Sequence, residues 1–203
     1  MSKRGMLLIL SGPSGCGKGT VLRELLAKRQ DTVVSVSVTT RAPRPGEEDG
    51  VHYFFRTREE FEQMIEKDEL LEYAEYSGNY YGTPLPPLEA WLDNGKNVVL
   101  EIEVQGAEKV MQKLPEAVSM FIVPPSVADL ENRLRGRGTE TEDVILGRLA
   151  AAKREFAAAK LYQYIVVNDE IENAVQQIET ILQAESMRYE RMKNTLTEVE
   201  EVC

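Results

Sequence analysis

The stretch Gly12-Pro-Ser-Gly-Cys-Gly-Lys18 follows the apolar residues 6–10 and precedes a helical pattern over residues 20–30. It is a G-x-x-x-x-G-K pattern in a strand–loop–helix context. The glycines let successive backbone N–H groups surround a polyphosphate, the helix adds the positive end of its dipole, and the lysine reaches the transferred phosphate. The stretch predicts a P-loop fold and a nucleoside triphosphate site formed by Gly12, Pro13, Ser14, Gly15, Cys16, Gly17, Lys18, Gly19 and Thr20.

The end of this loop departs from the usual pattern. Gly19 stands where a serine or threonine normally follows the lysine, and the first hydroxyl belongs to Thr20. Thr20 is therefore the candidate ligand for Mg²⁺. The alternative is an ion held through water and nucleotide oxygens, which Mg²⁺ tolerates well.

Strand-like and helical patterns alternate along most of the chain. Alternation of this kind indicates an α/β fold of the P-loop NTPase type, with a mostly parallel sheet and helices on both faces. The apolar β-rich stretches are residues 6–11, 33–38, 97–102, 118–123 and 164–167, and the helical patterns cover residues 20–30, 106–114, 127–134 and 141–161.

Two segments interrupt the alternation. Residues 40–83 combine an Arg-Ala-Pro-Arg-Pro-Gly loop, a short strand at 51–55, a helix at 58–67 and aromatic strand-like pieces, which indicate an inserted α+β subdomain. The glycine-punctuated polar loop at 135–142 indicates a lid. We expect one domain of 203 residues, divided into a core (1–39, 84–125 and 150–203), the inserted subdomain (40–83) and the lid (126–149).

Composition narrows the partners and the location. A net charge of −10 argues against nonspecific nucleic-acid binding, which requires a basic surface. The apolar run at 6–10 is too short for a secretory or membrane-spanning segment, so we expect no membrane partner and a cytoplasmic protein. Cys16 and Cys203 are expected to be free thiols.

Two arginines point to a second phosphate. Arg41 and Arg44 lie three residues apart in a proline-containing loop after a predicted strand, where two guanidinium groups can bind one phosphate bidentately. Taken alone, they could equally be solvated loop charges. A P-loop by itself would also suit a GTPase, a motor or a transporter ATPase.

Four further segments carry a resemblance to the guanylate kinase family: Ser35-Val-Ser-Val-Thr-Thr-Arg-Ala-Pro-Arg-Pro-Gly46, Gly50-Val-His-Tyr-Phe-Phe55, Ser77-Gly-Asn-Tyr-Tyr-Gly-Thr83 and Arg133-Leu-Arg-Gly-Arg-Gly-Thr139. With the P-loop they span most of residues 6–169. The resemblance implies a kinase of purine nucleotide metabolism that transfers the γ-phosphoryl of Mg·ATP to GMP, with dGMP as a further acceptor.

The resemblance also implies an acceptor site. Its GMP-binding residues are Ser37, Arg41, Arg44, Tyr53, Glu72, Tyr81, Thr83, Glu101 and Glu103. The chemistry agrees with this, because guanine offers adjacent N1–H and N2–H donors that one carboxylate, Glu72, can accept, and an O6 acceptor for the hydroxyls of Ser37 and Thr83. Alternatives are an exposed strand position for Glu72 and ordinary core positions for Tyr53 and Tyr81.

Glu101 and Glu103 end a predicted strand, where an open α/β sheet binds its ligands, and they alternate onto one face. Many members of the family carry aspartates in this stretch, so the glutamates are a departure. Polar residues that merely end a strand are the alternative interpretation.

The remaining implied residues act on the phosphates and on ATP. The catalytic set is Lys18, Arg41, Arg133, Arg137 and Arg148, and Asn168 is implied to contact the adenine of ATP. Arg135 is interpreted as a surface charge. His52, the only histidine, is interpreted as a strand residue, and no general base is assigned because the phosphate of GMP is already ionised.

Two rival functions stay open at this stage. One is a noncatalytic guanylate-kinase-like scaffold that binds phosphorylated protein segments through Arg41 and Arg44, and the other is a kinase for AMP or a pyrimidine monophosphate. The sequence leaves a monomer and a homo-oligomer equally open.

Overall fold

The computed structural model describes residues 4–76, 78–136 and 141–193. The strands are β1 (Leu7–Ser11), β2 (Thr32–Val34), β3 (Val38–Thr39), β4 (Phe54–Phe55), β5 (Leu70–Tyr76), β6 (Asn79–Pro84), β7 (Asn97–Glu101), β8 (Val118–Val123) and β9 (Tyr164–Val167). The helices are α1 (Lys18–Lys28), α2 (Arg58–Glu66), α3 (Leu85–Asp93), α4 (Val104–Lys113), α5 (Val127–Arg135), α6 (Glu142–Ala157) and α7 (Ile171–Ser186), with a 3₁₀ helix at Ala158–Leu161.

The larger sheet is parallel and has the strand order β2-β7-β1-β8-β9. All five residues of β1 are buried, as expected of a central parallel strand with helices on both faces. Leu8 and Leu10 pack in one apolar cluster with α1 and α7, while Leu7 and Ile9 pack in the other with α3 and α4. The predicted α/β fold with a parallel sheet is confirmed.

A second sheet of order β4-β3-β6-β5 is built from the inserted segment. Phe61 of α2 packs in its small core with Val38 and Leu70. Capping of α2 follows from its sequence, because Thr57 accepts the Glu60 N–H and the Glu60 carboxylate accepts the Thr57 N–H.

The chain crosses from one sheet to the other within the segment that the sequence predicts as a single strand, residues 33–38. That prediction is wrong, since the segment contributes β2 to the parallel sheet and β3 to the second sheet. The Ser35 N–H still donates to Val99 O of the parallel sheet, whereas Ser37 O already accepts the Phe54 N–H of the second sheet. Residues 33–38 together are typical of one strand, so the sequence does not show where the chain leaves one sheet for the other.

Two other local predictions differ from the structure. The strand predicted at 51–55 shrinks to β4, because the N–H groups of Val51 and His52 both donate to Glu48 O in a turn. Helix α3 was not predicted: it begins directly after Pro84 and carries prolines in its first turn, where their missing N–H groups leave no intrahelical bond unmade.

Helices α5 and α6 lie in the segment that the sequence predicts to be a lid, and they pack against each other through Leu130, Leu134, Ile145 and Ala152. Helix α6 continues without a break to Ala157, past the expected boundary at residue 149. Arg137 and Cys203 lie outside the described residues. Within the described residues, no helix combines the length and the apolar character that crossing a bilayer requires.

Candidate nucleotide-binding site

The P-loop connects the buried β1 to α1 and turns at three glycines with positive φ: Gly12 (+153°), Gly15 (+91°) and Gly17 (+91°). Space is also restricted at these positions. A Cβ on Gly12 would stand 2.3 Å from Ile122 O, and one on Gly17 would stand 2.4 Å from the Asn168 side-chain nitrogen. The loop therefore requires glycine for conformation and for close packing alike.

Helix α1 presents an uncapped N-terminus at the end of this loop. Gly17 is its N-cap residue and makes no side-chain capping bond, and the first turn contains no acidic residue. The first N–H groups of the helix are thus available to an anion, together with the positive end of the helix dipole. Lys18 Nζ donates to the carbonyl oxygens of Gly12 and Pro13, which places the ammonium over the loop.

Two side chains bind the backbone of the P-loop. Asn168, predicted to contact adenine, is buried, and its side-chain N–H donates to Cys16 O at 2.7 Å. Arg133 donates to Cys16 O at 3.3 Å and to Asn168 O at 2.7 Å. Both residues are therefore brought to the P-loop, where they hold its backbone at Cys16, itself a buried free thiol.

Helix α6 also reaches the P-loop. Arg148 donates to Ser14 Oγ at 3.3 Å. Glu155, which the sequence analysis missed, stands near the same site: burial raises the pKa of its carboxyl, while the Lys18 charge and the Ser14 N–H lower it. Its position in an amphipathic helix carries no signal that would have identified it. Arg135 is exposed and pairs with Glu131 and Glu142, as the surface interpretation expects.

Glu47 orders the loop of Arg41 and Arg44, which the sequence predicts to bind the acceptor phosphate. Its carboxylate accepts Arg41 Nη2 at 2.9 Å and the Arg44 backbone N–H at 2.7 Å. The Arg41 guanidinium also lies over the ring of Tyr53, 5.4 Å from the centroid. Arg44 extends into solvent beside it.

Two aromatic residues complete this pocket. The rings of Tyr53 and Tyr81 meet edge to face with centroids 6.1 Å apart. Burial and then the neighbouring Tyr81 raise the pKa of Tyr53, and the Arg41 charge lowers it. Four predicted phosphate-binding side chains, those of Arg41, Arg44, Tyr53 and Tyr81, thus belong to one face of the second sheet and its loop.

A buried carboxylate stands on the neighbouring strands. Glu72 of β5 lies opposite Thr83 of β6, and Thr83 Oγ1 donates to Glu72 Oε1 at 2.8 Å. Burial raises the pKa of Glu72, whereas the Thr83 hydrogen bond and the charges of Lys109 and Lys113 lower it. The interpretation of Glu72 as an exposed strand residue is therefore wrong, since only 6% of it is exposed. Ser37 lies half-buried just before β3.

Glu101 and Glu103 belong to different elements at the end of β7. Glu101 is the exposed last residue of the strand, and its Oε1 would stand 3.9 Å from a Cβ on Gly19. Glu103 is the N-cap residue of α4, because the helix begins two residues earlier than predicted. The pattern of alternation on one strand face therefore does not extend to Glu103.

The oxygen donors near α1 suit Mg²⁺. Thr20 is exposed in the first turn of α1, and the Glu101 carboxylate lies beside the preceding residue, Gly19. Hydroxyl and carboxylate oxygens are ligands that Mg²⁺ accepts while it keeps several waters and phosphate oxygens. The described residues contain no group of three or more His, Cys, Asp or Glu arranged to hold a metal.

Comparisons with known proteins identify the family. A family model described as guanylate kinase matches residues 4–185. The guanylate kinase of Halalkalibacterium halodurans is 55% identical over 190 residues, covering 94% of this chain and 93% of the relative. That of Bacillus cereus is 54% identical over 202 residues, covering 98% of both chains.

A solved structure extends the likeness to the fold. The crystal structure of guanylate kinase from Anaplasma phagocytophilum matches with a TM-score of 0.73 and 39% identity, covering 92% of this chain and 89% of that one. The chain belongs to the guanylate kinase family.

Proposed function

We propose that this protein is an ATP:GMP phosphotransferase that converts GMP and ATP to GDP and ADP and accepts dGMP as well. Its P-loop binds ATP and the second sheet binds GMP. Family membership supports the activity, and the buried pair of Glu72 and Thr83 carries the choice of acceptor, because a P-loop alone is common to many nucleotide-hydrolysing proteins.

The reaction needs charge neutralisation and alignment more than proton transfer. The acceptor oxygen belongs to a phosphate that is already ionised, so no general base is required. Lys18 and the first amides of α1 stabilise the charge of the transferred group, and Arg41 and Arg44 hold the acceptor phosphate for in-line attack. Arg133, Arg137 and Arg148 contribute positive charge from the lid side.

Mg²⁺ is part of the proposal as the companion of ATP. Thr20 and Glu101 are the residues that would hold it, directly or through water. When bound, the ion supplies neutralisation of the polyphosphate charge. Asn168 and Arg133 keep the P-loop backbone in place, and any contact of Asn168 with adenine would be made by the part of the side chain that does not bond Cys16 O.

Base selection follows from the chemistry of Glu72. A carboxylate accepts the paired N1–H and N2–H donors of guanine, and Ser37 offers a hydroxyl to O6. The Thr83 hydroxyl, which donates to Glu72 Oε1 in this structure, would turn from that bond to donate to O6. Adenine and the pyrimidines lack that donor pair and would leave the buried carboxylate without its partners, which costs about 1–3 kcal/mol. This argues against the AMP and pyrimidine kinase alternative.

The scaffold alternative has less support. A module that only binds phosphorylated segments has no use for Lys18 or for a P-loop braced by Arg133 and Asn168. We further propose that the enzyme is cytoplasmic, acts in purine nucleotide recycling, and is organised as an ATP-binding core, a GMP-binding subdomain (40–83) and a lid (126–149).

The test is product formation from Mg·ATP with GMP, AMP, CMP and UMP offered separately. We expect rapid turnover with GMP alone and a loss of about 100-fold or more in Lys18→Ala. Lys28→Ala is the matched control, since Lys28 is an exposed lysine at the other end of α1 that pairs with Glu24 at 3.7 Å. GMP binding without turnover of any acceptor would instead favour the scaffold.

A further inference from the structure

Two lysines of the core helix α4 bind the strand that carries Glu72. Lys109 Nζ donates to Tyr73 O at 2.5 Å, and Lys113 Nζ donates to Leu71 O at 2.6 Å. The lysines are four residues apart, hence on one face of the helix. Their acceptors are the residues immediately before and after Glu72, so the two cations grip the backbone on both sides of that carboxylate.

The strand needs such a partner at this position. β5 is an edge strand, with β6 on one side only, so its outer carbonyl groups have no strand to pair with. Its pairing with β6 also shifts register between Leu70 and Glu72. A register shift of this kind re-aims the side chain that follows it. The lysines therefore fix an irregular piece of backbone whose conformation decides where the Glu72 side chain points.

Gly106, on the first turn of the same helix, makes room for the carboxylate. A Cβ at this position would stand 2.8 Å from Glu72 Oε2 and 3.3 Å from its Cδ. Gly106 has an ordinary helical backbone without a positive φ, so space and not backbone conformation explains the glycine. With Thr83 on Oε1, both oxygens of Glu72 are confined: one by a hydrogen bond and the other by the surface of α4.

We propose that Gly106, Lys109 and Lys113 are positioning residues for guanine recognition, acting through Glu72 without touching the substrate. The inference rests on the proposed function, in which Glu72 reads the base. It assigns part of the acceptor specificity to a helix of the ATP-binding core and not to the inserted subdomain alone. Burial raises the pKa of Glu72 and both lysine charges lower it, so the same cations also favour the ionised form that guanine requires.

The ratio of kcat/KM for GMP to kcat/KM for IMP distinguishes a positioning role from simple structural support. GMP and IMP share O6 and N1–H, and IMP lacks the N2 amino group, so the ratio of their kcat/KM values reports the bidentate contact with Glu72. This ratio does not depend on the fraction of folded enzyme. A variant that is merely less stable lowers both values together, whereas a displaced carboxylate lowers the value for GMP selectively.

The variants are Lys109→Met/Lys113→Met, which keeps the aliphatic length without the donors, and Gly106→Ala. We expect each to raise KM for GMP with KM for ATP unchanged, and to lower the GMP-to-IMP ratio about tenfold. Lys109→Arg/Lys113→Arg, which keeps N–H donors and charge, should restore most of the ratio. Lys153→Met, at an exposed position of α6, is the matched control and should behave as wild type.

Glu72→Gln separates failure of this inference from failure of the proposed function. If wild type forms no GDP from GMP, the proposed function fails. If wild type is active and Glu72→Gln lowers the ratio, while either the methionine pair or Gly106→Ala keeps the wild-type ratio and KM for GMP, the positioning role is overturned. Equal losses for GMP and IMP in those variants overturn it as well, since they indicate structural support only.

Discussion

Glu72 is a buried carboxylate, and its ionised form costs the fold stability. Burial raises its pKa, so its carboxyl binds a proton more tightly in the folded chain than in the unfolded one. At pH values below the ordinary pKa of a glutamate, both forms are protonated and burial has little effect. As the pH rises through the higher folded pKa, ionising the buried group lowers the stability of the fold.

Glu72→Gln should therefore gain stability relative to wild type as the pH rises. The glutamine does not titrate, so the difference in unfolding free energy should be smallest near pH 4 and should grow in favour of the variant toward pH 8. Denaturant unfolding at a series of pH values measures it. Glu75→Gln, which replaces an exposed carboxylate of the same strand, is the control. A difference that is independent of pH would contradict the burial argument.

Glu47 is the second residue whose role is clear only in the structure. Its carboxylate joins the Arg41 side chain to the Arg44 backbone and so orders the loop that is proposed to hold the GMP phosphate. Glu47→Ala should raise KM for GMP about tenfold, as expected for the loss of a charge-assisted contact. KM for ATP should not change. Glu48→Ala, at an exposed neighbouring position, serves as the control, and a lower KM for GMP in Glu47→Ala would show that Glu47 competes with the phosphate.

At this scale the sequence predicts residues that belong to motifs and misses those that act through the backbone. The P-loop and the Arg41 loop were predicted because their residue types and spacing are tied to phosphate chemistry. Lys109 and Lys113 were missed because they bond backbone carbonyl groups. Every residue has a carbonyl group, so the residue types at positions 71 and 73 do not reveal these bonds.

Two glycines allow the conformation of a helix to be tested without changing any side chain proposed to contact a substrate. Gly17 caps α1 with φ +91° against the Asn168 side chain, whereas Gly147 lies inside α6 with no atom within 4 Å of a Cβ. Alanine is strained at the first position and favourable at the second, because it loses less backbone entropy than glycine in a helix.

We expect Gly17→Ala to lower stability by about 1–3 kcal/mol and kcat/KM for ATP about tenfold or more, and Gly147→Ala to raise stability by about 0.5–1 kcal/mol. Thermal unfolding and initial rates measure both effects. Asn168→Ala should make Gly17→Ala less harmful, since it removes the nearest clashing atom. Strict additivity of the two substitutions would exclude that clash as the cause.

A strand or helix was predictable where its sequence pattern is uniform from end to end. It was not predictable where the chain changes from one hydrogen-bonded sheet to the other. β8 and β9 have their predicted bounds, since each is a short apolar run with helices on both sides in sequence. The β2–β3 boundary was missed because residues on both sides of it have the same strand-forming character while their hydrogen bonds go to different sheets. Helix α3 was missed because its prolines resemble a turn.

On the scale of the whole molecule, the chain forms two sheets, and α4 packs beside the parallel sheet while its lysines bond the edge strand β5 of the second sheet. The parallel sheet carries the P-loop, the second sheet carries the residues proposed to bind GMP, and α6 brings Arg148 to Ser14. The break in the βα alternation indicates the inserted segment, and that segment contributes most of the second sheet. How the parts meet did not follow, because the contacts of α4 with β5 join residues that lie far apart in the sequence.

This division predicts that ATP turnover depends on the acceptor. The acceptor phosphate and the lid arginines must both be in place before the γ-phosphoryl is fully stabilised, and their closure excludes the water that would otherwise attack it. We expect ADP formation without GMP to be about 100-fold slower than with GMP, and ADP and GDP to form in equal amounts when GMP is present. Coupled assays for ADP, with GDP measured separately, test both statements. Gly147→Ala, which stiffens α6 without touching the P-loop, should keep the equal stoichiometry. An ADP formation rate that GMP leaves unchanged would mean that the P-loop works without the second sheet, and the proposed reaction would fail.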